Sequence, residues 1–233
     1  MQGWILYAGK EVKELTRACE EARKAGVNLE VLEPKELDLV LDGANPHRFF
    51  RKGQPVSAPS FVLAGFVDEA DTYNIALLQQ LEAQGVLCIN RADTLTKTSD
   101  KLLTLQLLQA SGLPVPKTIL VRKDSSPAFL CEQLGLPVVV KVIDGSKGHG
   151  VVLVKSESEL ANLLEMLEAS RAKTRILAQE FIADSRGKDL RVLVIDKRPV
   201  VCMLRKNSTA EGFKSNISAG GAAEAYPMTD TIR

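Results

Sequence analysis

The chain carries 4 cysteines in 233 residues, and they are scattered at 19, 88, 131 and 202. No CxxC pair and no nearby histidine pair accompanies them, so a zinc site is not indicated. Three sit in apolar runs and Cys19 falls on a helix face, so all four read as buried thiols of a reducing, cytoplasmic compartment. Charge of one sign is also lacking. Lys and Arg number 30, Asp and Glu 29, and no charged tail is visible, which removes the usual argument for a nucleic-acid partner. No apolar run reaches bilayer-spanning length, and "MQGWILYAGK" has no basic stretch before its apolar run. The first strand is not followed by GxGxxG, which argues against a dinucleotide fold there.

What is present is an ordinary globular composition, 45% hydrophobic and 25% charged, in a chain long enough for a real core. Strand-like runs "WILYAG", "NLEVLEP", "FVLAG" and "VLCIN" alternate with helical spacings. Val12, Leu15, Cys19 and Ala22 mark a helix closed by Gly26, and Ile75, Leu78 and Leu81 mark one closed by Gly85. This alternation predicts a parallel sheet of βαβ units. The polar stretch "NRADTLTKTSDK" reads as a boundary, after which Asp100 or Ser99 caps a helix to about Ala110, with Leu102, Leu105 and Leu108 inward. The cluster "NPHRFFRKGQP" reads as a solvated basic loop. Leu160, Leu163, Leu164 and Leu167 predict a later helix. "DLRVLVID" and "PVVCMLRK" predict a hairpin joined by Lys197 and Arg198. Beyond Lys206 the text is polar and glycine-rich, then reaches a helix start capped by Thr229 or Asp230.

The chemistry centres on "VVVKVIDGSKGHGVVLV", Val138 to Val154. Its loop is not a Walker A turn, because a strand rather than a helix follows, and a Rossmann turn fails for the same reason. A hairpin tip with Gly145, Gly148 and Gly150 can bring backbone N–H groups close to phosphate oxygens. The plain alternative is a hairpin loop with no ligand. Strand alternation sets Val139, Lys141 and Ile143 on one face. A lysine there is unfavourable unless it meets an anion or reaches water. Arg191 and Arg205 alternate with apolar neighbours, so each is read as pointing away from the core side. Two such cations suit carboxylate or phosphate oxygens, or else form an ordinary charged surface.

"LPVVVKVIDGSKGHGVVLV", "LAQEFI", "GKDLRVLVID" and "FKSNISAGGAA" together resemble the RimK-like branch of the ATP-grasp carboxylate–amine ligases. The resemblance runs from "MQGWILY" to the last residue, with blocks in the family's order. It implies an α/β (α+β) chain. Residues 1–93 would be a parallel pre-ATP-grasp domain, 94–178 the small lid subdomain, and 179–233 an incomplete first part of the large subdomain. Lys101 and Lys141 would reach the ATP phosphates, beneath a flap containing Gly145, Ser146, Lys147, Gly148 and Gly150. Gln179, Glu180, Phe181 and Ile182 would hold adenine, with main-chain groups from Glu180 and Ile182 and an apolar wall from Phe181. Asp189 would lie near the ribose. Arg191 and Arg205 would act on the reacting groups, and Lys214, Ser215 and Asn216 would approach the γ-phosphate and a metal.

The implied reaction phosphorylates a carboxylate and lets an amine displace the phosphate, with glutamate as the expected amino acid. The acceptor would be a protein, a peptide or a small molecule offering an amine or a carboxylate. The implied cofactors are ATP and Mg²⁺, with Mn²⁺ as a substitute. Neither His47 nor His149 is needed as a base. Two departures stand out. Lys214 replaces an arginine often found in relatives, and Ala219 replaces another, so the acceptor site differs. The family's metal-binding Asp, Glu and Asn would lie past Arg233, so the chain is expected to be a fragment that catalyses nothing alone. A non-catalytic nucleotide-binding or interaction module is the competing reading, and an α/β sugar- or nucleotide-binding domain a third. Self-association into a homo-oligomer is left open.

Overall fold

The computed structural model describes residues 1–7, 13–43, 48–66, 72–143, 150–169, 175–207 and 221–232. The chain divides into two compact units, Met1–Thr104 and Leu105–Arg233.

The first unit contains β1 (Gln2–Tyr7), α1 (Lys13–Lys24), β2 (Asn28–Leu32), β3 (Leu37–Leu39), β4 (Phe49–Arg51), β5 (Gln54–Val56), β6 (Phe61–Phe66), α2 (Thr72–Ala83), β7 (Leu87–Ile89) and α3 (Ala92–Ser99). The helix α4 (Lys101–Ala110) follows and crosses the division. Four strands form a parallel sheet in the order β2-β1-β6-β7, as the βαβ alternation predicts. Alternation along β1 sends Trp4 and Leu6 to the face covered by α2, where Leu77, Leu78 and Leu81 complete the core. Ile5 points to the other face, and α1 lies against β2 with Leu15 buried.

Gly3 of β1 pairs with Phe61 of β6, whose ring lies over it. A Cβ at position 3 would stand 2.3 Å from Cζ of Phe61. Gly3→Ala is therefore expected to cost about 1–3 kcal/mol through overpacking. Urea denaturation reads this as a lower midpoint at unchanged slope, and an unchanged midpoint would contradict the assignment.

Two polar segments turn out to be structured. The basic cluster near residue 50 is not a solvated loop but an antiparallel sheet, β3-β4-β5. Phe49 is buried there, edge-on to Trp4 at 6.2 Å and 84°. Arg51 is paired with Glu36 and, at 2.8 Å, with Glu30, so its charge is spent on partners 21 and 15 residues away. Lys52 and Gly53 make the turn at φ 51° and 74°. His47 lies outside the described residues. The segment expected as a boundary is α3. Thr96, Thr98 and Ser99 bond back to carbonyls three or four residues earlier, and the carboxylate of Glu82 accepts from the Ala92 N–H at 2.9 Å. Asp100 caps α4 as expected, accepting from Leu102 and Leu103 N–H at 2.9 and 3.0 Å. The inward face expected for that helix is not formed throughout. Leu102 and Leu105 are half-buried and Leu108 is exposed.

Cys88 and Cys202 are buried, whereas Cys19 and Cys131 are only half-buried, and all four thiols are free. Burial pushes the Cys88 thiol up to about 11, helped by Glu82 and opposed by Arg91. The unfolded thiol ionises near 9.0 and the folded one near 11, so between those values the unfolded chain holds fewer protons. Folding stability then declines as pH rises through that window. Cys88→Ala is expected to make the decline shallower by about one proton, measured by denaturant titration at several pH values. An unchanged slope would contradict this.

The second unit contains β8 (Thr118–Val121), α5 (Pro127–Leu134), β9 (Val138–Val142), β10 (Val151–Val154), α6 (Glu157–Ala169), β11 (Ile176–Glu180), β12 (Lys188–Ile195), β13 (Arg198–Lys206) and β14 (Ala222–Ala225). One antiparallel sheet runs β10-β9-β11-β8. Its helix-covered face packs Val138, Val140, Val154 and Ala178 against Leu130, Leu134 and Leu160. The helix α5 begins with Ser126, whose hydroxyl accepts from the Phe129 N–H, and Pro127 at its first turn. A second sheet runs β12-β13-β14. Its hairpin turns at Asp196 and Lys197, with φ 48° and 63°, one residue earlier than expected. The end of the described chain is a turn in which Ile232 N–H donates to Thr229 at 3.0 Å.

Candidate functional site

Lys141 sits near the end of β9, and the period-two reading of its strand holds. Val138 and Val140 face the helices, while Val139 and Lys141 face the other way. That second face is not open surface: Val139, Leu177 and Gln179 on it are all buried. A cation on a largely covered face needs defined partners. Lys141 Nζ donates to Oε1 of Gln179, which lies two residues along β11 from the residue directly opposite. Gln179 is itself 6% exposed, and its Nε2 donates to Thr118 Oγ1 at 2.7 Å. Thr118 Oγ1 in turn donates to the Pro116 carbonyl at 2.8 Å. Three strands thus contribute side chains to one polar line across the sheet.

The remaining expected ligands fall into groups. Glu180 ends β11, and its main-chain N–H is taken by the Lys117 carbonyl at 3.0 Å while its carboxylate accepts from the Lys117 N–H at 2.7 Å. Phe181 is half-buried and Ile182 exposed just after the strand, with the Ile182 carbonyl accepting from Ser185. Gly150 closes the hairpin at φ +67°, and a Cβ there would approach Val142 Cγ2 to 2.9 Å, so both backbone and space require glycine. Lys101 opens α4, directly after its capping aspartate. Gly145, Ser146, Lys147, Gly148, His149, Lys214, Ser215, Asn216 and Ala219 lie outside the described residues.

Asp189 and Arg205 face each other across β12 and β13. Arg205 donates from Nε to Asp189 Oδ1 at 2.7 Å and from its terminal nitrogen to Oδ2, a two-pronged pair. This hydrogen bond raises Arg205 above the usual guanidinium range, with burial opposing it. Arg191 is two residues from Asp189 and so shares its sheet face with Arg205. As alternation leads one to expect, both arginines lie on the face opposite Val192 and the buried Cys202; Arg205 is nonetheless only 12% exposed, while Arg191 stands on a largely exposed strand. Sequence reading missed Thr118 altogether. Its signal was a hydroxyl residue opening a strand after "VP", too common to single out.

Residues 98–233 match the model of the RimK-like ATP-grasp domain, and residues 1–95 match that of the RimK pre-ATP-grasp domain. A probable alpha-L-glutamate ligase of Rhodopirellula baltica is 33% identical over 230 residues, covering 97% of this chain and 55% of that protein. One from Thioalkalivibrio sulfidiphilus is 31% identical, covering 98% of this chain and 75% of the relative. A RimK domain ATP-grasp protein from Sphaerobacter thermophilus shares the fold, with a TM-score of 0.70 at 21% identity over 94% of this chain and 77% of that one. The chain belongs to the RimK-like ATP-grasp family. It spans about half the length of the Rhodopirellula relative.

Proposed function

We propose that the protein is an ATP-dependent carboxylate–amine ligase that uses glutamate. The observation that carries this reading is a pair of family matches, in order, across nearly the whole chain, with relatives named probable alpha-L-glutamate ligase. A carboxylate oxygen takes the γ-phosphoryl group of ATP, releasing ADP. The amine then attacks the acyl carbon and inorganic phosphate leaves. Such a reaction asks the protein for positioning and charge neutralisation more than for a nucleophile.

The described residues fit an anionic nucleotide. Lys141 offers a half-buried ammonium that donates to the Gln179 amide oxygen. Lys101, Gly145, Ser146, Lys147, Gly148 and Gly150 complete the phosphate set in this reading, with Glu180, Phe181, Ile182 and Asp189 around the nucleoside. Arg191, Arg205, Lys214, Ser215 and Asn216 serve the reacting groups. Among the described residues no three His, Cys, Asp or Glu side chains gather as a cation site. Mg²⁺ bound with the nucleotide would supply charge neutralisation on the phosphates. Among the described residues no helix is long and apolar enough to cross a membrane.

The test is ADP release by the full-length protein with ATP, Mg²⁺, glutamate and a panel of amine acceptors. Release that requires both glutamate and an amine supports the reading. Turnover indifferent to any carboxylate would overturn it.

A further inference from the structure

The sheet of the first unit is covered unevenly. Ile5 of β1 and Val31 of β2 are register partners and share the face on which α1 lies. Ile5 is fully buried, yet Val31 is 40% exposed in the middle of an apolar strand. The cover is thus incomplete at the edge strand. Between α1 and β2 runs a groove of about 440 Å³, within the usual size of a small-molecule site. Leu15, Cys19 and Val31 give it an apolar wall. Its presence also explains why Cys19, expected as a buried thiol, is only half-buried.

Three charged side chains share the lining: Glu20 and Arg23 from α1, and Glu33 just past the end of β2. Glu33 is extended, at φ −77° and ψ 125°, so alternation from Val31 keeps it on the groove face. Among the described residues none of the three is in an ion pair, although Glu21 and Lys24 beside them pair at 2.8 Å. Two carboxylates against one guanidinium leave the lining one negative charge in surplus. The charges also have a pattern. Glu20 and Arg23 are three residues apart on one helix, so they are surface neighbours, about 5–6 Å apart at Cβ. That spacing suits an ammonium and a carboxylate carried on one α-carbon. Glu33 stands on the strand side of the groove, across from them.

We propose that this groove binds a free α-amino acid with a cationic side chain, the class of lysine. Arg23 takes the α-carboxylate, Glu20 the α-ammonium and Glu33 the side-chain cation, while the methylene stem lies along Leu15, Cys19 and Val31. A ligand with one net positive charge matches the surplus. A neutral amino acid leaves Glu33 without a partner, and an acidic one sets like charges together. The groove lies wholly within the first unit, so this inference goes beyond the ligase reading and stands without it.

Calorimetric titration of the full-length protein, without nucleotide, with lysine and with its uncharged analogue norleucine tests this. Lysine is expected to bind about 3- to 10-fold more tightly than norleucine, between the worth of an exposed ion pair and that of an enclosed charge-assisted bond. Glu33→Gln is expected to bring the two affinities level. Arg23→Gln is expected to weaken both alike, since both carry the α-carboxylate. Val31→Phe, which fills the groove from a half-open position, is expected to abolish binding of both. The substituted residues are exposed, so thermal melting should stay near the parent for all three variants. No binding of lysine at about 10 mM overturns the proposal. An unchanged lysine preference in Glu33→Gln overturns it too. Lysine binding that survives intact in Arg23→Gln and Val31→Phe also overturns it, because the ligand then sits elsewhere, at an amine-acceptor site of the ligase for instance.

Discussion

Trp4→Ala will destabilise the first unit by about 3–5 kcal/mol, the range for emptying a large aromatic site in a packed core. Trp4 is fully buried, packs in the cluster with Leu77, Leu78 and Leu81, and meets the edge of Phe49. The site cannot collapse easily, because β1 is held by β2 on one side and β6 on the other. The same residue carries a defect. Its Nε1–H is buried with no acceptor among the described residues. Removing an unsatisfied donor relieves a penalty of about 1–3 kcal/mol. Trp4→Phe is therefore expected to cost far less than truncation, since the lost ring volume is offset by the lost N–H. Chemical denaturation of the two variants separates these terms. Equal destabilisation by Phe and Ala would show that the indole nitrogen has a partner.

Arg205→Ala is expected to lower ligase turnover by about 10²- to 10³-fold, the usual effect of deleting a preorganised charge donor. The expectation depends on the proposed function. Arg205 is enclosed and its planar fork is already aligned by Asp189, so little reordering is needed when an anion arrives. Arg205→Lys keeps the charge but loses the fork, so it should recover little activity. Stability behaves differently. Asp189 is 38% exposed, so its carboxylate can turn to water and folding should suffer modestly. Steady-state ADP release and thermal melting on the same samples test both halves. A variant that melts normally and turns over normally would remove Arg205 from the reacting site.

Lys141 was visible in the amino-acid text because its anomaly is local. A cation inside a valine run violates strand patterning, and period two states which face it must take. Gly26 and Gly85 were visible for a similar reason, since helix ends need positive φ, here 74° and 80°. The parallel sheet of the first unit followed from alternating patterns. What escaped was set by partners distant in sequence. Arg51 looked like part of a wet basic loop until Glu30 and Glu36 came beside it. Thr118 acquires meaning only when β8 and β9 flank β11, an order that no local spacing encodes. The helix α3 was hidden because Thr and Ser usually disfavour helix interiors, and here their hydroxyls bond to the helix's own carbonyls. The strand β14, "AAEA", has weak strand preference and is held by its pairing with β13.

The most direct test is a structure of the full-length protein with a non-hydrolysable ATP analogue. The account predicts Lys141 Nζ at hydrogen-bond distance, about 2.7–3.2 Å, from a phosphate oxygen while still bonded to Gln179. Phosphates bound elsewhere, with that ammonium making no contact to them, would contradict it.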